Sequence, residues 1–271
     1  MPLNLNGLLQ LSPVTWAVTV NDLDSNTVIA EYSETKILRT ASVPKAFLLY
    51  IVSCMIERKE LSEDLLIDRR NTVQVKDAGM WQYMKSDTLP LWDVAMLVGS
   101  VSDNLATNAL IDLVGLQNLK ETTHHLGYYY SRLNDYVRPE RRPTEHPATV
   151  SQGTSVELAR FCSSIALSAR QESEVESRVI QWLKTGMDHS MVLRPFGLDP
   201  LTATSSEEGF TAWNKTGTDY GVRADIGVVE GPKRSVSYAV IANWDGKMAS
   251  NKEVLSIMSN IGERIISHCS S

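Results

Sequence analysis

Apolar positions recur along this chain with two different periods, and the changes of period divide it into three stretches. Residues 14–20 and 27–32 are rich in Val, Thr, Ile and aromatics, and the turn formers Asn21-Asp22-Leu23-Asp24-Ser25-Asn26 lie between them. That pattern predicts a β-hairpin. From Val43 to about Leu193 the spacing turns helical, with periodic apolar residues over 46–57, 91–98, 105–113, 156–167 and 174–183. Beyond Phe210 strands return over 210–214, 225–229 and 236–243, the last two separated by the turn Gly231-Pro232-Lys233-Arg234. A helix over 252–266 follows, and Val254, Leu255, Met258, Ile261 and Ile265 give it one core-facing stripe.

Strands at both ends and helices between them imply an α+β protein. Its antiparallel sheet is built from both chain ends with flanking terminal helices, and a mainly helical lobe is inserted between them. The boundaries that follow are 1–41 with 209–271 for the sheet lobe and 42–208 for the helical lobe, packed as one unit. A cleft between lobes is where a site is expected.

Composition narrows the class. At 271 residues the chain can bury a large core, and 43% hydrophobic with 21% charged residues excludes disordered and fibrous classes. A net charge of -6, with no dense Lys/Arg cluster outside 138–142, argues against a nucleic-acid partner. No run of about 18 apolar residues is present, so no membrane span is expected. Residues 1–20 hold no Lys or Arg and are broken by Asn4, Asn6, Ser12 and Pro13, unlike a signal peptide. The expectation is a cytoplasmic protein or, for a processed form, a periplasmic or secreted one. Cys54, Cys162 and Cys269 are odd in number and scattered, which speaks for free thiols. His124, His125, His146, His189 and His268 make no metal or triad spacing, so neither metal nor cofactor is expected.

Three short motifs carry chemistry. In Ser42-Val43-Pro44-Lys45, Pro44 fits a first helical turn, which sets Ser42 at a helix N-terminus and Lys45 three residues on along the same face. A serine hydroxyl becomes a nucleophile when a base takes its proton, and a partly buried lysine near positive charge can be that base. Ser102-Asp103-Asn104 falls between two apolar helical stretches, where Asp103 or Asn104 also suits an N-cap. Lys215-Thr216-Gly217 follows a strand and precedes the turn formers Thr218-Asp219-Tyr220-Gly221. A cation, a hydroxyl and a glycine at a strand edge suit an anionic substrate. A second Lys-Thr-Gly, at Lys184-Thr185-Gly186, ends a helical pattern and reads as a helix terminus with Gly186 as its C-cap.

In this order and spacing, the three motifs resemble the penicillin-recognising serine hydrolases, most nearly class A β-lactamases. The resemblance implies an acyl-enzyme on Ser42, with Lys45 as base and an oxyanion hole from the N–H groups of Ser42 and Thr218. It implies that Ser102 passes a proton to the departing amine and that Asn104 binds the substrate's amide. Lys215, Thr216, Gly217 and Arg223 would hold its carboxylate, and Trp81, in Gly79-Met80-Trp81-Gln82-Tyr83, would stand at the cleft mouth. The partner is a small molecule (a β-lactam, an ester or a D-Ala peptide), and the chain is expected to be a monomer.

The sequence departs from class A at one place. The glutamate that activates the deacylating water is expected at Val137, and the pattern around it is absent. Glu140, three residues later, is the substitute candidate. The expected activity is therefore β-lactam hydrolysis with slow deacylation. The alternatives are an esterase or D-alanyl-D-alanine carboxypeptidase and, from another class, a sensor that is acylated and stays so.

Overall fold

The computed structural model describes all residues except 1, 2, 4, 11, 12, 143, 203 and 204. The short helix α1 (Asn6–Leu9) precedes the hairpin β1 (Thr15–Asp22) and β2 (Thr27–Tyr32). A two-residue strand β3 (Leu38–Arg39) then leads into helix α2 (Lys45–Glu57). Strands β4 (Leu66–Asp68) and β5 (Thr88–Pro90) form a small ribbon before α3 (Leu91–Val101), α4 (Asn104–Val114) and α5 (Leu116–His125). Strands β6 (Arg132–Leu133) and β7 (Ser151–Gly153) join β3 in a three-stranded patch. Helices α6 (Ser155–Ala169) and α7 (Glu174–Lys184) follow, and β8 (Thr211–Asp219), β9 (Val222–Glu230), β10 (Ser235–Asn243) and α8 (Asn251–Cys269) close the chain.

The main sheet runs in the order β2-β1-β10-β9-β8, antiparallel throughout. It is the α+β sheet built from both ends that the period change predicts. Its centre is buried on both faces. In β10, Ala239 and Ile241 point into the helical core with Phe47, Leu48 and Ile165, while Tyr238, Val240 and Ala242 pack with Val254, Met258, Ile261 and Ile265 of α8. Alternation of faces with period two, both of them covered, explains why β10 reads as a nearly continuous apolar run.

Several elements differ from the sequence expectation. Strand β8 extends to Asp219, so Lys215-Thr216-Gly217 lies inside it. β8 is an edge strand, paired in the sheet with β9, and its buried polar side chains are partnered: Lys215 Nζ donates to Thr216 O and Asn214 Nδ2 to Asp188 O and Asp225 Oδ1. Helix α5 was not expected, because it carries only Leu119 and Thr123 as buried residues and so shows little apolar period. Helix α2 starts at Lys45, and Ser42 sits in a preceding turn of three-residue bonds, Val43 N–H to Thr40 O and Lys45 N–H to Ser42 O. Helix α7 ends at Lys184 with Thr185, one residue before Gly186, as its C-cap. Among the described residues no helix is long and apolar enough to cross a membrane.

Candidate active site

The nucleophile candidate is set by a sharp change of direction. Ala41 has φ +48°, a left-handed conformation that turns the chain from β3 into the first turn of α2. The buried hydroxyl of Ser151 fixes this turn, donating to Ala41 O at 2.6 Å and lying 2.9 Å from Thr40 Oγ1. Ser42 is left half-buried, lining a cavity of about 350 Å³ together with Ser102, Lys215, Thr216 and Thr218. Gly217 packs against the same turn. A Cβ added there would come within 2.1 Å of Thr40 O and 3.1 Å of Ser42 N, so only glycine lets the edge strand pass.

Lys45 is 1% exposed. Its Nζ donates to Ser102 O at 2.7 Å, to Ser102 Oγ at 3.2 Å and to Asn104 Oδ1 at 2.7 Å. Among the described residues no carboxylate pairs with it. Burial, and next the charge of Lys215, hold its pKa well below the usual lysine range, against a smaller opposing pull from Asp103 and Asp77. No hydrogen bond among the described residues joins Nζ to Ser42.

Ser102 terminates α3 in a left-handed conformation, φ +57°. That strain turns both its carbonyl and its hydroxyl toward Lys45. Asp103 caps α4, accepting from Ala106 N–H through Oδ1, while its Oδ2 accepts from Met80 and Trp81 N–H. The loop before α3 is thereby tied to the helix N-terminus, and Asn104, the first residue of α4, is buried beside Lys45.

Lys215 is buried on β8, with Nζ donating to Thr216 O at 3.0 Å, and burial lowers its pKa to about 8. Thr216 and Thr218 point to the same cavity. Arg223 lies opposite Thr218 in the β8–β9 register and donates to the carbonyls of Asp219 and Val222. It lines a neighbouring cavity with Thr218, Asp219 and Asp77 and not the one that holds Ser42.

A further cavity of about 260 Å³ shares Ser42 and Thr218 with the first and is walled by Lys45, Asn104, Val137, Glu140 and Asp219. Asn108, fully buried on α4, holds Val137 there by accepting from its N–H at 2.9 Å and donating to its carbonyl at 2.8 Å. Asp135 anchors the rest of the loop through Arg138 and Arg141. Val137 is thus held in the wall of the cavity that Ser42 also lines, and it presents an isopropyl group there. Glu140 borders this cavity but is exposed.

Trp81 must be corrected. Its side chain is 0% exposed, lies in the helical core and donates from Nε1 to Ser86 O. Burying the indole stabilises the fold by more than exposing it at a cleft could, since its one polar atom finds a partner inside. On the cleft side that loop presents Ala78 to the first cavity and Asp77 to the other two, and neither stands out in the sequence. Of the two Lys-Thr-Gly sequences, Lys215-Thr216-Gly217 lies beside Ser42, while Lys184 faces away and only Gly186 borders the cleft.

Sheet, helical lobe and this constellation define a serine hydrolase with the penicillin-recognising fold. A β-lactamase from Sphaerobacter thermophilus DSM 20745 superposes with a TM-score of 0.82 at 20% identity, over 99% of this chain and 98% of its own. PBP-A superposes at 0.81 and 18% identity, over 100% and 98%. A structure of the PBP-A L158E mutant, described as an acyl-enzyme complex with penicillin G, matches at 0.81 and 18% identity over 98% and 94%. The model of the beta-lactamase enzyme family matches residues 4–269, and the chain belongs to that family. No curated protein matches the sequence.

Proposed function

We propose that this protein opens β-lactam rings through Ser42 and releases the resulting acyl group slowly. The observation that carries the reading is the environment of Lys45: a buried amine with no carboxylate partner, one turn from an accessible serine and bonded to Ser102 and Asn104. Burial and the charge of Lys215 hold its pKa well below the usual lysine range, which favours the neutral amine that can accept a proton. Ser42 Oγ attacks the lactam carbonyl carbon as its proton passes to Lys45. The Ser42 and Thr218 N–H groups stabilise the oxyanion. The C–N bond then breaks, and Ser102 delivers a proton from Lys45 to the departing nitrogen. Lys215, Thr216 and Gly217 receive the substrate carboxylate at the edge of β8, with Arg223 adding charge from the next strand. Asn104 meets the amide of the acyl side chain.

Deacylation needs a base beside a water, and Val137 supplies none. Glu140 is the nearest substitute on that loop, and its exposure supports slow turnover by it. The same apolar residue favours a second reading, a binder that stays acylated. The test is the decay of the penicilloyl adduct, followed by intact mass in the wild type and in Val137→Glu. Slow decay in the wild type, accelerated at least about a hundredfold in Val137→Glu, supports the proposal. An adduct that never decays in the wild type selects the binder, and failure to form one rejects both.

A further inference from the structure

Asp77 belongs to no motif, yet it lines both the cavity that holds Ser42 and Lys45 and the neighbouring one that holds Arg223. Its Oδ2 accepts from Asn104 Nδ2 at 3.2 Å, and Asn104 Oδ1 accepts from Lys45 Nζ at 2.7 Å. The chain Asp77–Asn104–Lys45 fixes which way the Asn104 amide faces. A lysine amine in this position donates and a carboxylate only accepts, so reversing the amide would lose both bonds at once. The loop that carries Asp77 is also built to hold it. Asn104 N–H donates to Ala78 O at 3.0 Å, and Gln82 Nε2 donates to Asp77 O at 2.6 Å. Gly79, with φ +121°, comes so close to Asp103 that a Cβ would lie 2.3 Å from its Cγ.

We propose that Asp77 is a positioning residue for the base: acting through the Asn104 amide, it orients Lys45 and sets the pH at which Lys45 begins to accept the Ser42 proton. The inference rests on the assignment of Lys45 as base. Three charged groups act most strongly on Lys45. Lys215 comes from β8, Asp103 from the α3–α4 junction and Asp77 from the loop. Arg138, Glu140, Arg141 and Asp219 border the same cavity. Lys215 favours the neutral amine and the two aspartates oppose it. Asp103 is committed to capping α4 and tying down Met80 and Trp81, which leaves Asp77 as the carboxylate whose charge can be removed without unmaking a helix start.

The experiment measures the second-order rate of acylation by benzylpenicillin from pH 5 to 9 for the wild type, Asp77→Asn and Asp77→Ala, with thermal melts as a control on folding. Asparagine keeps an acceptor for Asn104 Nδ2 and removes the charge. Its acid limb should move down by about half a pH unit or more, with a plateau within about twofold of the wild type. Alanine removes the acceptor as well. It should show the same shift and a plateau lowered about fivefold or more. An acid limb in Asp77→Asn within about 0.2 pH unit of the wild type would overturn the inference, as would an Asp77→Ala plateau equal to that of Asp77→Asn. A wild type that is not acylated at any pH would instead sink the assignment of Lys45 and Ser42 and is distinguishable from both.

Discussion

Replacing Asn108 by alanine tests whether the Val137 loop is held from below. Asn108 makes three hydrogen bonds, accepting from Val137 N–H and donating to the carbonyls of Val137 and Val73. Truncation leaves those groups unpaired in a partly buried setting. At about 1 kcal/mol for each bond, the loss is about 3 kcal/mol. At roughly 2–4 °C per kcal/mol for a chain of this size, the melting temperature should fall by roughly 6–12 °C. The loss is local, so hydrogen exchange at residues 135–141 should quicken while α6 and β10 stay protected. Differential scanning calorimetry and exchange mass spectrometry read the two effects. A melting shift below about 2 °C, or exchange unchanged across that loop, would refute the claim that Asn108 positions Val137.

Lys45→Ala should abolish penicillin acylation, whereas Lys184→Ala, on the solvent side of α7, should acylate within about twofold of the wild type; equal loss in both would mean that the wrong lysine has been assigned. Gly217→Ala forces a Cβ against Thr40 O and should slow acylation at least about a hundredfold by moving β8 off Ser42, and a rate within about threefold in stopped-flow assays would contradict the close approach. Asp225, buried on β9 opposite Thr216 of β8 and bonded to Asn214, Val192 and Tyr238, is held at about 7 by burial and then by the charge of Asp188. Its folded pKa lies above the unfolded value of about 3.9, so its contribution to stability is present below about pH 4 and lost as pH rises toward 7. Asp225→Asn should therefore gain on the wild type by up to about 1.4 kcal/mol per pH unit across that window in urea titrations, and parallel stability curves would contradict this.

Much of this molecule can be read from its residues in order. Period two and period 3.6 are strong where one face is buried, so the hairpin, β10, α2 and α8 lie where their patterns put them. Helix α5 hides because it rests on the surface with few buried side chains. The reach of β8 through Lys215-Thr216-Gly217 hides because its polar residues look like a loop in the sequence, while the partners that let Asn214 and Lys215 be buried appear only in the fold. At the site, Ser42, Lys45, Ser102, Asn104, Lys215 and Thr216 converge from the turn that opens α2, the first residue of α2, the α3–α4 junction and β8. The motifs carry that convergence, and no single element does. Trp81 misleads because an aromatic in a loop suits a cleft mouth and a core equally, and only three-dimensional packing separates the two. Asp77 and Asn108 give no local signal. Their importance comes from hydrogen bonds to residues 27 and 29 positions away, in Asn104 and Val137.

The claim at the centre is that Ser42 is the atom that attacks. Wild-type protein and Ser42→Ala are mixed with benzylpenicillin, quenched within seconds, and compared by intact mass and then by peptide mapping. A single added penicilloyl mass is expected in the wild type, located on the peptide bearing Ser42, and none in Ser42→Ala. An adduct of equal yield in Ser42→Ala, or one mapped to Ser102 or a lysine, would contradict it.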